Sequence, residues 1–567
     1  MLNPPTQTAS VIAHISTLEN KPITRQEWRW VWVWSIVTVV LTLLPFLWAW
    51  LIAPPGSQFM GLLFNAADGN SYLAKMQQGH TGWLFHLTYS PEPSQGTFIF
   101  VLYLLLGRLA AVTGLSNVVV FHAARLVFGL ALLLVSYRFI SSFLAEVRQR
   151  RLAFLLLCFG AGIGWLLLPF VGLAASVDTW VAESLTFFSI TANPHFPLAT
   201  LLLLLAIMGL RDIFQMPGRI KWQTVAKTAL VAFALGWVHP FLLISLAAIM
   251  GVYLLRLNLA ARHFTLNHCL ALAWVGLVGA PGPLYTYVAT NTDPVLRAWM
   301  SQNQTLSPWP WFYLTGYGLL AVLAGLGVWR VERRQWPGDE TRRQRFQLLT
   351  TWVGVTVVLL YVPVSFQRRF VEGLQLPVVG LATLGFLEVG WAWYKKHQPK
   401  ASLARWSGRL ILFCSVSTFV VPLLFTPFGN TRFDPVTGVS HFLYYYDDEV
   451  AGFKWLAAHT QPEDTVMAGP VDGSFIPAWA GNHVFYGHWL ETIDSQSKLK
   501  LLGQFFQART PPADRNQLIQ QYNLHYLYYG AEEKNLSNNT PPFDPTLAGW
   551  PIVFQNQRVT IYKLTVN

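Results

Sequence analysis

Apolar residues fill this chain in long runs, and the breaks between them are short and polar. Runs of about 20 residues suit helices that cross a ~30 Å hydrocarbon layer. Eleven such spans are predicted, near residues 30–53, 118–143, 152–173, 196–210, 223–238, 240–257, 268–288, 309–330, 347–366, 370–393 and 409–427. The semi-apolar stretch TFIFVLYLLLGRLAAVTG (97–114) is read instead as a juxtamembrane helix on the outer interface, because counting it as a span would invert every later loop. Just after the first span, LLFNAADGNSYLAKMQQG (62–79) has a helical spacing of its own. It sets Asp68, Tyr72 and Lys75 at i, i+4 and i+7 on one face.

Beyond about residue 430 the pattern changes. A helix fits DDEVAGFKWLAAHT, amphipathic helices fit SQSKLKLLGQFFQ and ADRNQLIQQY, and short strands fit TVMAG, HVFYG, LHYLYYG, PIVFQ and VTIYKL. The predicted fold class is a membrane all-α protein of about 11 transmembrane helices plus a C-terminal soluble α/β domain. Its predicted parts are a cytoplasmic segment 1–29, a transmembrane domain 30–427 with a long first external loop 54–117, and an extracytoplasmic domain 428–567.

Composition agrees: of 567 residues, 53% are hydrophobic and 12% charged, which excludes an ordinary aqueous globule. The 25 Trp and 20 Tyr suit interfacial belts. A net charge of +12 would fit nucleic acid, but the basic residues sit in short clusters between apolar runs, so no nucleic-acid partner is expected. Lys21, Arg25 and Arg29 precede the first span; Arg148, Arg150 and Arg151 follow the second; Arg211, Arg219 and Lys221 follow the fourth. Further clusters follow the sixth, eighth and tenth spans, all on the N-terminal side. The positive-inside rule makes that side cytoplasmic and predicts a multi-pass protein of the cell inner (plasma) membrane with its C-terminal domain outside. Cys158, Cys269 and Cys414 lie inside apolar segments and form neither a disulfide framework nor a zinc spacing. A cleaved signal peptide is not expected.

With the sides assigned, chemistry-bearing residues gather outside. Asp68 is the sharpest candidate: a carboxylate in a partly apolar site can act as a base, although capping the next helix is the commoner task. Arg368 and Arg369 in PVSFQRRFVEGLQLP oppose the positive-inside trend; they suit a phosphate, or a structural pair with Glu372. His195 and His239 each adjoin a proline at an outer span end, where they could bind a ligand or metal, or satisfy a freed carbonyl. In the tail, His488, Trp489 and Glu491 belong to an aromatic and polar cluster that suits a carbohydrate face, a lid over a membrane site, or a plain domain core. Asn70, Tyr72, Lys75, Glu92, Arg297 and Glu372 complete the candidate substrate-binding set, and the 289–308 loop is a candidate flap. HExxH, Walker A, GxSxG and dinucleotide motifs do not occur.

One order of features carries a family resemblance. It runs from a span to an external Asp on a juxtamembrane helix, an interfacial helix and then FHAARLVFGLALLLVSYRFISSFL; a cytoplasmic basic turn, many spans, an outer QRRF…LP and a soluble external tail follow. This resembles the GT-C superfamily of membrane glycosyltransferases, which includes dolichyl-phosphate-mannose and aminoarabinose transferases. The resemblance covers most of the membrane part. It implies a glycosyltransferase moving a sugar from a polyprenyl-phosphate donor to a glycan, lipid or protein acceptor at the outer face of the bilayer. It implies Asp68 as catalytic base or acceptor-orienting group, and Arg368 and Arg369 as donor-phosphate ligands. The family often has paired acids here, whereas Asp68 is followed by Gly69 and Asn70; a divalent metal is therefore only a candidate cofactor. A lipid-linked sugar flippase or transporter, and a non-catalytic membrane sensor with an external ligand domain, are the alternatives.

Overall fold

A computed structural model describes residues 22–172, 176–215, 220–333, 340–425, 442–536 and 541–565. Most of the expected 1–29 segment, its expected boundary at 427–428, and the basic residues Lys21 and Arg219 lie outside the described residues.

The chain is a multi-pass membrane protein. Among the described residues, seven helices are long and apolar enough to cross a bilayer: Arg25–Leu51, Asn117–Ser141, Val147–Val171, His195–Gln215, Phe241–Ala261, Gln375–His397 and Leu403–Leu424. Two bent pairs, Leu266–Gly279 with Pro281–Thr292 (44°) and Pro310–Tyr317 with Leu319–Glu332 (97°), make nine if each is one span. The two remaining expected positions are also helical, Trp222–Val238 and Glu340–Leu359. The first has 17 residues, about 26 Å of rise, and is shorter than a full crossing. The second opens on a charged turn with Arg342, Arg343 and Arg345.

Local chemistry explains the breaks. The sharper bend pivots on Gly318, whose φ of +49° is open to glycine and whose missing side chain lets it approach Gly162. The milder one restarts at Pro281, which suits a first helical position. The first helix begins on a capping box between Thr24 and Glu27. Glu27 is then buried against Arg150 at 3.2 Å and accepts from the Tyr137 hydroxyl, so one residue of the basic cluster is also a packing element.

The stretch set apart at 97–114 forms the 13-residue helix Val101–Thr113, about 20 Å long and too short to cross. It lies against Ala66–Gly79, with backbones touching where Gly107 meets Met76 and Gly79 meets Leu104.

Seven strands are described: β1 (Ser57–Phe59), β2 (Tyr444–Tyr446), β3 (Thr465–Met467), β4 (His483–Val484), β5 (Leu524–Tyr529), β6 (Ile552–Gln555) and β7 (Thr560–Lys563). The last five form a mixed sheet in the order β4-β3-β5-β7-β6, parallel from β4 through β5 and antiparallel thereafter. Each lies within a segment whose alternation predicted a strand. Two features escaped that reading. β1 and β2 pair antiparallel, Ser57 opposite Tyr446, and tie the first external loop to the C-terminal part. The helix Asp472–Trp479 packs on Ala66–Gly79, where the Tyr89 hydroxyl donates to Ser474 O at 2.9 Å. These contacts bring residues 487–494 to the membrane part.

Candidate active site

A cavity of about 1050 Å³ opens between the segment that follows the first apolar helix, the ends of several membrane helices and the C-terminal domain. Asp68, Tyr72 and Lys75 all line it, so the i, i+4, i+7 face of the short helix is turned inward. The helix is entered through Asn65 in the left-handed region (φ 46°), which leaves Asp68 in the first turn, where the helix dipole favours a negative charge. Asp68 Oδ1 lies 2.9 Å from His488 Nε2, and Oδ2 accepts from Asn65 Nδ2. Its side chain is 35% exposed, toward the cavity. Burial pushes its pKa up, but the hydrogen bond from His488, the charge of Arg369 and the Asn65 amide outweigh this and hold it below the usual value of 3.8.

Farther along the same face, Tyr72 stacks on Tyr103 with ring centroids 4.4 Å apart. Burial, then the charge of Asp68, pushes the Tyr72 hydroxyl up, so it remains a proton donor. Lys75 is buried, paired with Glu491 at 2.7 Å and ringed by Tyr72, Phe85 and Phe100.

The opposite wall carries the arginines. A single turn, Gln367–Val371, presents both. Arg368 pairs with Glu183 at 3.3 Å and lies over Trp180. Arg369 faces the cavity beside the Phe241 ring and has no ion-pair partner among the described residues. The structural alternative for these arginines, a pair with Glu372, is not formed: Glu372 lies 2.8 Å from His239 Nδ1 and accepts from Thr200 at 3.2 Å. Burial pushes Glu372 up against the pull of His239. His195 Nδ1 lies 2.6 Å from the Tyr103 hydroxyl, and its ring stands 5.7 Å from that of His239.

Ten of the residues singled out from sequence therefore meet here: Asp68, Tyr72, Lys75, His195, His239, Arg368, Arg369, His488, Trp489 and Glu491. Four do not line the cavity. Asn70 is buried against Ser474, Glu92 holds Lys498 at 2.7 Å, Arg297 donates to the Asn291 carbonyl, and Glu372 sits behind His239. From the 289–308 loop, Gln304 lines the cavity, while Asp293 caps Pro294–Gln302. Sequence reasoning missed Asn65, Tyr103 and Trp299 as lining residues. Tyr103 was hidden in an apolar run, and the pairing of Glu183 with an arginine 185 positions away has no local signal.

Among the described residues, the acids close enough to share a cation are Asp472, Glu532 and Glu533, with ligand atoms within 4.8 Å. They lie in the C-terminal domain, not in the cavity lining. Their oxygens already accept from Tyr445 and from the backbone of residues 469, 471, 472 and 530.

The architecture, apolar helices carrying a C-terminal α/β domain, is similar in fold to that of three solved proteins. ArnT from Cupriavidus metallidurans, solved with undecaprenyl phosphate, aligns at a TM-score of 0.51 and 11% identity over 93% of this chain and 97% of that one. The oligosaccharyltransferase of Archaeoglobus fulgidus aligns at 0.50 and 11% over 88% and 69%. The arabinofuranosyltransferase AftD from Mycobacteria aligns at 0.52 and 14% over 97% of this chain and 42% of its own length. No protein-family model and no curated protein matches the sequence.

Proposed function

We propose that the protein is a glycosyltransferase that moves a sugar from a polyprenyl-phosphate donor to an acceptor hydroxyl or amide at the extracytoplasmic face of the inner membrane. The observation that carries this reading is the pairing of functions in one cavity. Asp68, an ionised carboxylate, and Arg369, a guanidinium with no ion-pair partner among the described residues, share it. Asp68 takes the acceptor proton as the acceptor atom attacks the anomeric carbon. The bond from that carbon to the phosphate oxygen breaks, its electron pair stays on the phosphate, and Arg369 holds the charge that develops there. Attack opposite the leaving phosphate inverts the anomeric centre.

Charge favours a monophosphate carrier. Lys75 is neutralised by Glu491 and Arg368 by Glu183, which leaves Arg369 to match the single charge of a phosphodiester. A diphosphate would bring further negative charge toward Glu183. Trp237, Phe241 and Phe366 give the cavity an apolar side for the first prenyl units. Tyr72, His195, His239 and Trp489 offer the rings and hydrogen-bonding groups that suit a sugar. That ArnT was solved with undecaprenyl phosphate supports this donor class. The positive-inside pattern supports a cytoplasmic N-terminus and an external C-terminal domain.

The test is a donor panel. Purified protein in nanodiscs, given radiolabelled polyprenyl-monophosphate and polyprenyl-diphosphate sugars with mixed glycan, lipid and peptide acceptors, is expected to consume the monophosphate donor. Consumption of neither would overturn the enzyme reading, and use of the diphosphate alone would overturn the charge argument.

A further inference from the structure

We propose that His488, carried by the C-terminal domain, is a positioning residue for Asp68, held as the neutral Nε2–H tautomer so that it donates to the carboxylate. The inference rests on the reading of Asp68 as the base.

The tautomer follows from the ring's two partners. Leu490 N–H donates to His488 Nδ1 at 3.2 Å, so that nitrogen must present a lone pair. The ring proton then lies on Nε2, 2.9 Å from Asp68 Oδ1. A second proton on Nδ1 would break the Leu490 bond and set two donors against each other. With one backbone donor fixing the tautomer, the imidazole can supply a hydrogen bond and has no free lone pair with which to compete for the acceptor's proton.

The turn that carries the ring is tied down from both sides. Gly487 N and His488 N donate to Thr492 Oγ1, which donates to Tyr89 O at 2.9 Å. Gln302 Nε2 donates to the carbonyls of Leu490 and Thr492 at 3.1 and 2.7 Å. Ile493 N donates to Ser90 Oγ at 3.0 Å, and Glu491 takes Lys75, about two helical turns beyond Asp68. The His488 side chain is 2% exposed and packs beside Tyr89. Such a ring has little freedom to swing away. Asp68 is thereby fixed between Asn65 from its own element and His488 from a segment 420 residues distant. It follows that the site is complete only with the C-terminal domain docked.

Two measurements on the full chain in nanodiscs test this. The first is the pH profile of kcat/KM and the donor KM for His488→Phe and His488→Gln. Arg369 and Tyr72 also face Asp68, and both remain unchanged. The Phe variant is expected to lose about 10- to 100-fold in kcat at unchanged donor KM, with its acid limb moved up by about one pH unit. Gln, whose amide N–H can replace Nε2–H, is expected to recover most of both. A Phe variant with the parent's kcat and acid limb overturns the proposal. The second measurement needs no activity. In the ¹⁵N spectrum of histidine-labelled protein, the signal missing in His488→Gln, one of 14 histidines, is expected to show a neutral ring protonated at Nε2. A ring protonated at Nδ1, singly or doubly at pH 7, overturns it. If the parent protein transfers no sugar, the glycosyltransferase reading fails, while the ¹⁵N result still decides the His488 assignment.

Discussion

At the residue scale the account turns on why an acid within a largely buried pocket is ionised. Burial would protonate Asp68, and neighbouring donors and Arg369 reverse that. A carboxyl with its pKa below 3.8 is charged through the whole neutral range. Asp68 should therefore contribute no limb to kcat/KM at neutral pH, and an acid limb should appear only as pH falls below about 4. The same sign governs stability: the interactions of Asp68 are fully present above its unfolded pKa and are lost as pH falls through the lower folded one. The two arginines separate by experiment. Arg369→Gln removes the unpaired cation and is expected to raise the donor KM by about 10- to 100-fold, since hydrogen bonds to charged groups contribute about 1.5–3 kcal/mol. Arg368→Gln leaves Glu183 buried without its partner, and a lowered unfolding temperature is its expected signature. Asp68, Arg368 and Arg369 were legible in the sequence because each is a charge in an unexpected setting. Which arginine is free was not, because that depends on Glu183, brought near only by the fold.

At the element scale, hydrophobic runs located the helices well, and the surprises lie in how they end and touch. Gly318 and Pro281 bend two of the expected spans, something a hydropathy run cannot display. The Val101–Thr113 helix approaches Ala66–Gly79 so closely that a Cβ on Gly107 would stand 1.8 Å from Met76 O. Gly107→Ala is expected to cost about 1–3 kcal/mol, read as a lower unfolding temperature, because the backbone it meets cannot move aside cheaply. In the C-terminal domain, burial and then the charge of Asp472 push Glu532 up to about 8. Burial and the charge of Glu532 push Glu533 up to about 7. Both folded values exceed the ordinary 4.5, so the folded domain binds more protons than the unfolded chain between those limits. Its stability should fall as pH rises through about 7–8, and Glu532→Gln should flatten that slope in thermal unfolding monitored across the same range.

At the scale of the whole molecule, the cavity is shared property. The segment after the first apolar helix supplies Asp68, the ends of apolar helices supply Arg369 and the histidines, and the C-terminal domain supplies His488 and Glu491. Changes of periodicity in the sequence marked the helices and strands that carry these residues. They did not announce the β1–β2 ribbon or the docking of Asp472–Trp479, which join the parts through short contacts between segments hundreds of residues apart. The fold shared with ArnT, the oligosaccharyltransferase and AftD aligns at only 11–14% identity, and what pointed to it in the sequence was the order of elements rather than residue matches. The central claim is that sugar transfer occurs in this cavity with Asp68 as base. It is tested most directly by single-turnover transfer from a radiolabelled polyprenyl-monophosphate sugar, comparing the parent protein with Asp68→Asn at saturating donor. In Asp68→Asn, donor binding is expected to persist while transfer falls by at least 100-fold. Equal transfer by the two proteins would contradict it.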